Sequence, residues 1–180
     1  MKQCVFFPGL KSEKYASNEY FYEKIIQIQD VAENSFVYQK TGSGYGTTNG
    51  LDTPNKPRLL HIEDNRQISL LLHLYLKDKY DIESVSTGEA ALALLSEKTY
   101  DIIVVDIQLG EGIDGFETSR KIRSHSRYRN TPIIALTTNE YHNIREDCMH
   151  SMVNAYIRKP FTKPYLLTAI YELEKYLSIT

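Results

Sequence analysis

Several short apolar runs of this sequence end in polar residues that suit phosphoryl-transfer chemistry. The set combines carboxylates, which can bind a cation or act as nucleophiles, with hydroxyls and one amine that can contact a charged oxygen. Any one of them could instead cap a following helix or face water, but their recurrence at the ends of successive runs favours a shared site. The residues, in chain order, are Glu63, Asp64, Asp106, Thr137, Thr138 and Lys159.

The carboxylates predict a divalent metal site. Grouped carboxylates repel one another and raise their own pKa values unless a cation neutralises them. Mg²⁺ suits such a group because it prefers oxygen ligands and needs only one or two carboxylates plus a phosphate oxygen. We expect Asp64 and Asp106 to bind the ion directly, together with the backbone carbonyl of Gln108, and Glu63 to act through water.

Asp106 is the expected nucleophile of this site. Phosphoryl transfer depends mainly on alignment and on neutralising the charge of the transferring oxygens. Lys159 can meet one phosphate oxygen as a compact cation, and Thr137 and Thr138 can contact others. A cis peptide bond between Lys159 and Pro160 is a further hypothesis, since it would direct the lysine back into the site.

The elements that must position these residues alternate between strand and helix patterns after Pro57, which is typical of βαβ units around a parallel sheet. Ligands of such sheets bind beyond the carboxyl ends of the strands. The predicted strands are Leu59–Glu63, Ile82–Ser86, Ile102–Asp106, Pro132–Thr137 and Ala155–Arg158. The predicted helices are Arg66–Lys77, one beginning at Thr87, Phe116–Ser124, Tyr141–Ser151 and Pro164–Leu177.

The chain divides into an N-terminal extension at 1–38, a linker at 39–57 and a domain at 58–180. Residues 39–57 are rich in Gly, Ser, Thr and Asn, and the segment GSGYG within them lacks the lysine and strand of a phosphate loop. Ser17–Glu33 is predicted to be an amphipathic helix with a stripe of Phe21, Ile25 and Ile28. Docking on the domain and homodimer formation are both open for this helix.

Composition excludes several classes of function. A formal net charge of -2 leaves no broad positive field for a nucleic-acid backbone. No apolar run approaches the roughly 20 residues of a membrane helix. The two cysteines, Cys4 and Cys148, form no metal or redox motif. We therefore expect a cytoplasmic protein without nucleic-acid or membrane contacts.

The segments LLHIEDN, IIVVDIQLGEGIDGFE, PIIALTT and AYIRKPF, in this order and spacing, resemble the response-regulator receiver domains of two-component phosphorelay systems. The resemblance runs from about Arg58 to Ser178. It implies an α/β, doubly wound, flavodoxin-like fold with five parallel strands in the order 2-1-3-4-5, here with an N-terminal helical extension.

The resemblance also implies roles for individual residues and for partners. A histidine kinase or phosphotransfer protein would supply the phosphoryl group, and a downstream protein would read the changed surface. Enzymatic activity would be limited to self-catalysed phosphorylation and dephosphorylation. In this reading Tyr156 turns inward after phosphorylation and changes a face that also carries Tyr141, His142 and Lys163. By position, Asp106 is the phosphoacceptor, Glu63 and Asp64 the acidic metal-binding pair, Lys159 the phosphate-binding lysine, Thr137 the switch hydroxyl and Tyr156 the switch aromatic.

The chain departs from the family pattern in the loop after Asp106. Gly110 stands where the family often has proline, the segment up to Gly115 is one residue longer, and Thr138 replaces a smaller residue. The bulk of the Thr138 side chain predicts an altered lifetime of the phosphoryl group on Asp106. Two alternative functions are a receiver derived from a multidomain hybrid kinase and, from another class, an aspartate-nucleophile phosphatase of the haloacid dehalogenase type. Gln108 disfavours the phosphatase, which needs an aspartate at that position.

Overall fold

A computed structural model describes residues 56–138 and 152–179 of the 180-residue chain. The predicted extension at 1–38, most of the linker and the predicted helix Tyr141–Ser151 lie outside these residues. Among the described residues, no helix is long and apolar enough to cross a bilayer.

Five parallel strands form one sheet in the order β2-β1-β3-β4-β5, so the predicted sheet is confirmed. Strand bounds differ from the predicted ones by at most one residue at either end. The strands are β1 Arg58–Ile62, β2 Asp81–Val85, β3 Ile102–Asp106, β4 Ile133–Thr137 and β5 Ala155–Arg158. Within residues 56–138 and 152–179 the helices are α1 Arg66–Leu76, α2 Gly88–Glu97, α3 Gly115–Ser124 and α4 Lys163–Ile179, with a 3₁₀ turn at Ser126–Tyr128.

Two apolar layers sandwich the sheet because its central strands are buried on both faces, as the consecutive apolar residues of β3 and β4 require. Leu72 and Leu76 of α1 and Leu166 and Ile170 of α4 pack on one face. Residues of α2 and α3, including Ala91, Leu95 and Ile122, pack on the other face.

Polar side chains start the helices immediately after the strands. Asn65 accepts hydrogen bonds from the amides of Gln67 and Ile68 at the start of α1. Thr87, where a helix was predicted to begin, accepts a hydrogen bond from the amide of Ala90 at 3.2 Å, and Asp114 accepts one from the amide of Glu117 at 2.7 Å. These caps satisfy donors that have no partner within the helix, and they fix where each loop of the carboxyl rim turns back.

Candidate functional site

Parallel register brings the predicted site residues to one rim of the sheet. Ile62 of β1 lies opposite Val105 of β3, so Glu63, which follows β1, and Asp106, which ends β3, lie at the ends of neighbouring strands. Thr137 ends β4 opposite Arg158 of β5, and Lys159 follows directly. The six residues that sequence patterns selected therefore share one edge of the domain.

Glu63, Asp64 and Asp106 form a compact acidic cluster. One carboxylate oxygen from each residue lies within 4.8 Å of the other two. Glu63 and Asp106 are each only 4% exposed, whereas Asp64 faces solvent. Three close oxygen donors with one open side are the donor set that a hard divalent cation prefers, so these residues fit Mg²⁺.

Lys159 closes the buried side of this cluster. Its Nζ atom lies 2.7 Å from Glu63 Oε2 and 2.7 Å from Asp106 Oδ2. The predicted cis peptide bond between Lys159 and Pro160 is present, and the Lys159 amide donates to the Thr137 carbonyl at 2.7 Å. The ammonium group is thus held between two carboxylates in a water-poor setting, where charge pairing is stronger than at the surface.

Burial dominates the ionisation of Glu63. Loss of hydration raises the pKa of this carboxyl to about 7, and the Asp106 charge acts in the same direction. The hydrogen bond and the charge of Lys159 oppose this effect without cancelling it. A group that supplies more positive charge would hold Glu63 ionised, which is a second reason why the cluster fits a cation.

The loop after β3 is tied to the acidic cluster through backbone amides. The Gln108 amide donates to Asp106 Oδ1 at 3.1 Å, and the Gly110 amide donates to Asp64 Oδ2 at 3.0 Å. Proline at position 110 would lack this donor. Gly115 packs directly on the site, since an added Cβ would lie 2.0 Å from the Asp106 carbonyl oxygen.

Thr137 and Thr138 differ in their placement although they are adjacent. Thr137 is buried at the end of β4, whereas Thr138 is exposed. The Thr138 hydroxyl donates to the side-chain carbonyl of Gln108. This bond joins the loops after β3 and β4 next to Asp106, so the Gln108 side chain contacts a neighbouring loop through an interaction that sequence patterns did not predict.

Tyr156 is 2% exposed and lies in the apolar layer with Ile103, Ala135 and Val153. The sequence interpretation has this ring turn inward after phosphorylation or simply lie half-buried on its strand, and in the structure the ring is already buried. The small side chain of Ala135, opposite Tyr156 in register, provides a physical reason because it leaves room for the ring. Of the other residues predicted for the signalling face, Lys163 has its Nζ atom 3.9 Å from Asp78 Oδ2. Tyr141 and His142 lie outside the described residues.

A cleft of about 380 Å³ opens beside Asp64, between the loops that follow β1 and β2. The lining residues are Glu63, Asp64, Arg66, Ser69, Ser84, Val85, Ser86 and Ala90.

His61 is a feature of the site region that sequence reasoning did not select. The side chain is fully buried two residues before Glu63, and neither ring nitrogen has a hydrogen-bond partner among the described residues. Burial, and secondarily the charge of Lys159, lowers the pKa of His61 to about 3. A histidine inside the otherwise apolar run Leu59–Ile62 was the available signal, and it indicates a neutral ring in the core.

Comparison with known protein families shows that the model of the response regulator receiver domain matches residues 59–171. Transcriptional regulatory protein ResD of Bacillus subtilis is 34% identical over 113 residues, which are 62% of this chain and 45% of ResD. SrrA of Staphylococcus aureus is 34% identical over 105 residues, 58% of this chain and 42% of SrrA. The chain therefore spans less than half the length of these curated relatives.

Solved structures show the same fold. Chemotaxis protein CheY4 of Vibrio cholerae has a TM-score of 0.62 and 26% identity, covering 66% of this chain and 98% of CheY4. The receiver domain of the sensor histidine kinase PA1611 from Pseudomonas aeruginosa has a TM-score of 0.60 and 30% identity. That match covers 68% of this chain and 98% of the receiver, which was solved with a magnesium ion coordinated in its active site cleft.

Proposed function

The chain belongs to the response regulator receiver domain family, and on that premise we propose that it accepts a phosphoryl group on Asp106 and signals through protein contacts. The observation that carries the proposal is the position of the Asp106 carboxylate, which is buried between two further carboxylates and the Lys159 ammonium. Histidine kinases or phosphotransfer proteins are the proposed donors.

We propose that the acidic cluster binds Mg²⁺. Asp64 and Asp106 would hold the ion directly, with the Gln108 carbonyl as a third ligand and Glu63 contributing through water. The close oxygens of the cluster and the raised pKa of Glu63 support this assignment, and the PA1611 receiver has magnesium in its active site cleft. When bound, the ion would neutralise charge on the transferring oxygens.

In the proposed reaction, one oxygen of Asp106 attacks the phosphorus of a phosphohistidine. The new O–P bond forms as the N–P bond breaks, and the leaving imidazole takes up a proton. Lys159 then transfers its ammonium contact from Asp106 Oδ2, at 2.7 Å, to an oxygen of the incoming group. The Thr137 hydroxyl donates a hydrogen bond to a second oxygen of the phosphoryl group, and Thr138 lies next to the position of that group. Beyond this self-modification we propose no enzymatic activity.

The proposed switch couples Thr137 to Tyr156. Both side chains are buried, and they lie on the adjacent strands β4 and β5. A phosphoryl group adds about -1.5 to -2 charges at Asp106, which draws the Thr137 hydroxyl toward it and changes the space beside the tyrosine ring. An equilibrium between two positions of this pair would alter the surface that a partner protein reads.

Receiver domains of this kind occur in two classes of protein among the matches. The PA1611 match shows that a receiver of this kind occurs within a sensor histidine kinase, whereas ResD and SrrA are transcriptional regulatory proteins. Both regulators extend well beyond the matched segment. These two relatives conflict with the expectation that the protein makes no nucleic-acid contact, so we do not extend that expectation to the whole protein. We propose that residues 58–180 act as the receiver in the cytoplasm. Gln108, in place of a second aspartate, gives no support to the phosphatase alternative.

Incubation with Mg²⁺ and acetyl phosphate, followed by mass spectrometry of the intact protein, tests the proposal. We expect a mass gain of one phosphoryl group that hydroxylamine removes, because acyl phosphates are labile to this nucleophile. Asp106→Asn should show no gain, whereas Asp78→Asn, which changes an exposed carboxylate, should behave like the wild type. Labelling that persists in Asp106→Asn would refute the assignment.

A further inference from the structure

The outer face of α1 carries two leucines that face solvent. Leu70 is 60% exposed and Leu74 is 48% exposed. They lie one turn apart on the same side of the helix, opposite Leu72 and Leu76, which pack on the sheet. Neither leucine contributes to the proposed phosphorylation site, so their shared exposure calls for an occupant.

We propose that this face of α1 binds the chain's own N-terminal segment, residues 17–33, through its apolar stripe of Phe21, Ile25 and Ile28. The segment lies outside the described residues, and its helical period is predicted from sequence. An amphipathic helix with such a stripe needs an apolar surface to cover it. The leucines of α1 provide one within the same chain.

The course of the chain supports binding within one molecule. Lys56, the first described residue, donates from Nζ to the carbonyl of Lys77 at 2.8 Å, immediately after α1 ends. The preceding chain therefore enters the domain within the length of a lysine side chain from the end of α1. A linker of the predicted composition between residues 33 and 56 spans on the order of 26 Å, whereas the 11 residues of α1 extend about 16 Å. The segment can thus reach the leucines, at an effective concentration on the order of millimolar.

Charge favours this occupant over a second copy of α1. Segment 17–33 has four acidic residues and one lysine, a net charge of -3. Residues 66–79, which include α1, have three basic residues and one acidic residue, a net charge of +2. Opposite charges favour encounter of the two elements, whereas two copies of α1 would repel each other.

Hydrogen–deuterium exchange of the full chain tests the proposal without phosphorylation, so its outcome is independent of the function of Asp106. We expect slowed exchange in residues 17–33 of the wild type. In the double variant Leu70→Ser, Leu74→Ser, this protection should fall about tenfold, because the docking equilibrium loses its apolar contact. The control Met152→Ser removes an equally exposed side chain, 57% exposed, that precedes β5 at the opposite edge of the sheet, and should change nothing.

Three results would overturn the proposal. Exchange of residues 17–33 at unprotected rates in the wild type would show that the segment is not docked, and protection unaltered by the double variant would place it elsewhere. Protection that falls on dilution, with a dimeric mass by light scattering, would assign the face to a second copy. Circular dichroism of the double variant verifies that the domain remains folded, as expected for solvent-facing positions.

Discussion

Lys159 Nζ lies 2.7 Å from Glu63 Oε2, yet burial raises the pKa of that carboxyl to about 7. The ammonium therefore only partly compensates for the loss of water around Glu63. Because of this imbalance, we expect the stability of the domain to depend strongly on the positive charge at the site.

Lys159→Met should destabilise the domain strongly, because it leaves two buried carboxylates without their cation. Removing one partner of a buried ion pair costs about 3–5 kcal/mol, and urea unfolding in the presence of a chelator at pH 8 measures the loss. Lys163→Met is the matched control, since its pair with Asp78 is long and exposed and contributes less than about 1 kcal/mol. Equal effects of the two substitutions would contradict the role of Lys159.

His61→Val should change how stability depends on pH. The folded-state pKa of His61 is lowered to about 3 from 6.5, so the neutral ring stabilises the fold fully above pH 6.5. This contribution is lost as pH falls from 6.5 toward 3, because the unfolded chain takes up the proton first. At pH 5 the wild type has lost about 2 kcal/mol of its free energy of unfolding through His61. His61→Val avoids this loss, so its stability relative to the wild type should rise by that amount between pH 8 and pH 5.

The titration of Glu63 is the reason why the pH dependence of the wild type must be compared with that of His61→Val. Its raised pKa stabilises the fold below pH 4.5, and this contribution is lost as pH rises through about 7. The slopes from Glu63 and His61 therefore oppose each other between pH 4.5 and 6.5, and the wild-type curve alone hides both. Chelator-treated wild type and His61→Val, unfolded in urea at pH 5 and pH 8, separate them. A difference between the proteins that is the same at both pH values would sink the prediction.

Gly110→Ala should weaken Mg²⁺ binding. The added Cβ would lie 2.7 Å from Asp64 Oδ2, so the carboxylate must move away from the position it shares with Glu63 and Asp106. Changes to groups that orient metal ligands typically cost about 10- to 100-fold in affinity. Thermal stabilisation by increasing Mg²⁺ measures the affinity, and Gln67→Ala, at an exposed position outside the loop, should match the wild type.

Thr138→Ala should shorten the life of the phosphorylated protein several-fold. The Thr138 side chain and its bond to Gln108 stand at the exposed entrance beside Asp106, where they restrict access of water to the acyl phosphate. Thr138→Val separates size from hydrogen bonding, since it keeps the bulk and loses the hydroxyl. If bulk controls access, valine should retain the slow rate of dephosphorylation in a mass-spectrometric time course. Alanine behaving like the wild type would show that neither property controls it.

Sequence patterns predicted the strands and the shared rim because apolar runs such as Ile102–Val105 are short, bounded by turn residues and too apolar for a solvent-facing strand. The acidic cluster then followed from parallel topology. Loop contacts were not predictable in the same way. The bonds from Gly110 to Asp64 and from Thr138 to Gln108 join residues of different loops, and no periodicity encodes such contacts. The inward position of Tyr156 depends on packing against Ala135, a relationship between strands.

Arg123 stabilises the opposite end of the sheet, and its loss should destabilise the domain without altering the site. Its guanidinium donates to the carbonyls of Met152, Tyr128 and Thr131 and to the Asn154 side chain. Burial lowers the pKa of Arg123 to about 10.

Arg123→Ala removes the guanidinium bonds to the carbonyls of Tyr128 and Thr131, at a cost of about 1–3 kcal/mol for a carbonyl that is left without a donor out of reach of water. The Tyr128 carbonyl keeps the bond from the Thr131 amide, so the Thr131 carbonyl carries most of the expected loss. Arg123→Lys should recover only part of this loss, because an ammonium lacks the planar fork that meets several carbonyls at once. Urea unfolding of both variants, compared with the exposed control Arg120→Ala, measures the effect. Phosphorylation by acetyl phosphate below the unfolding transition should proceed at the wild-type rate in Arg123→Lys, because Arg123 contacts the loops at the amino ends of β4 and β5 and Asp106 lies at the carboxyl end of β3.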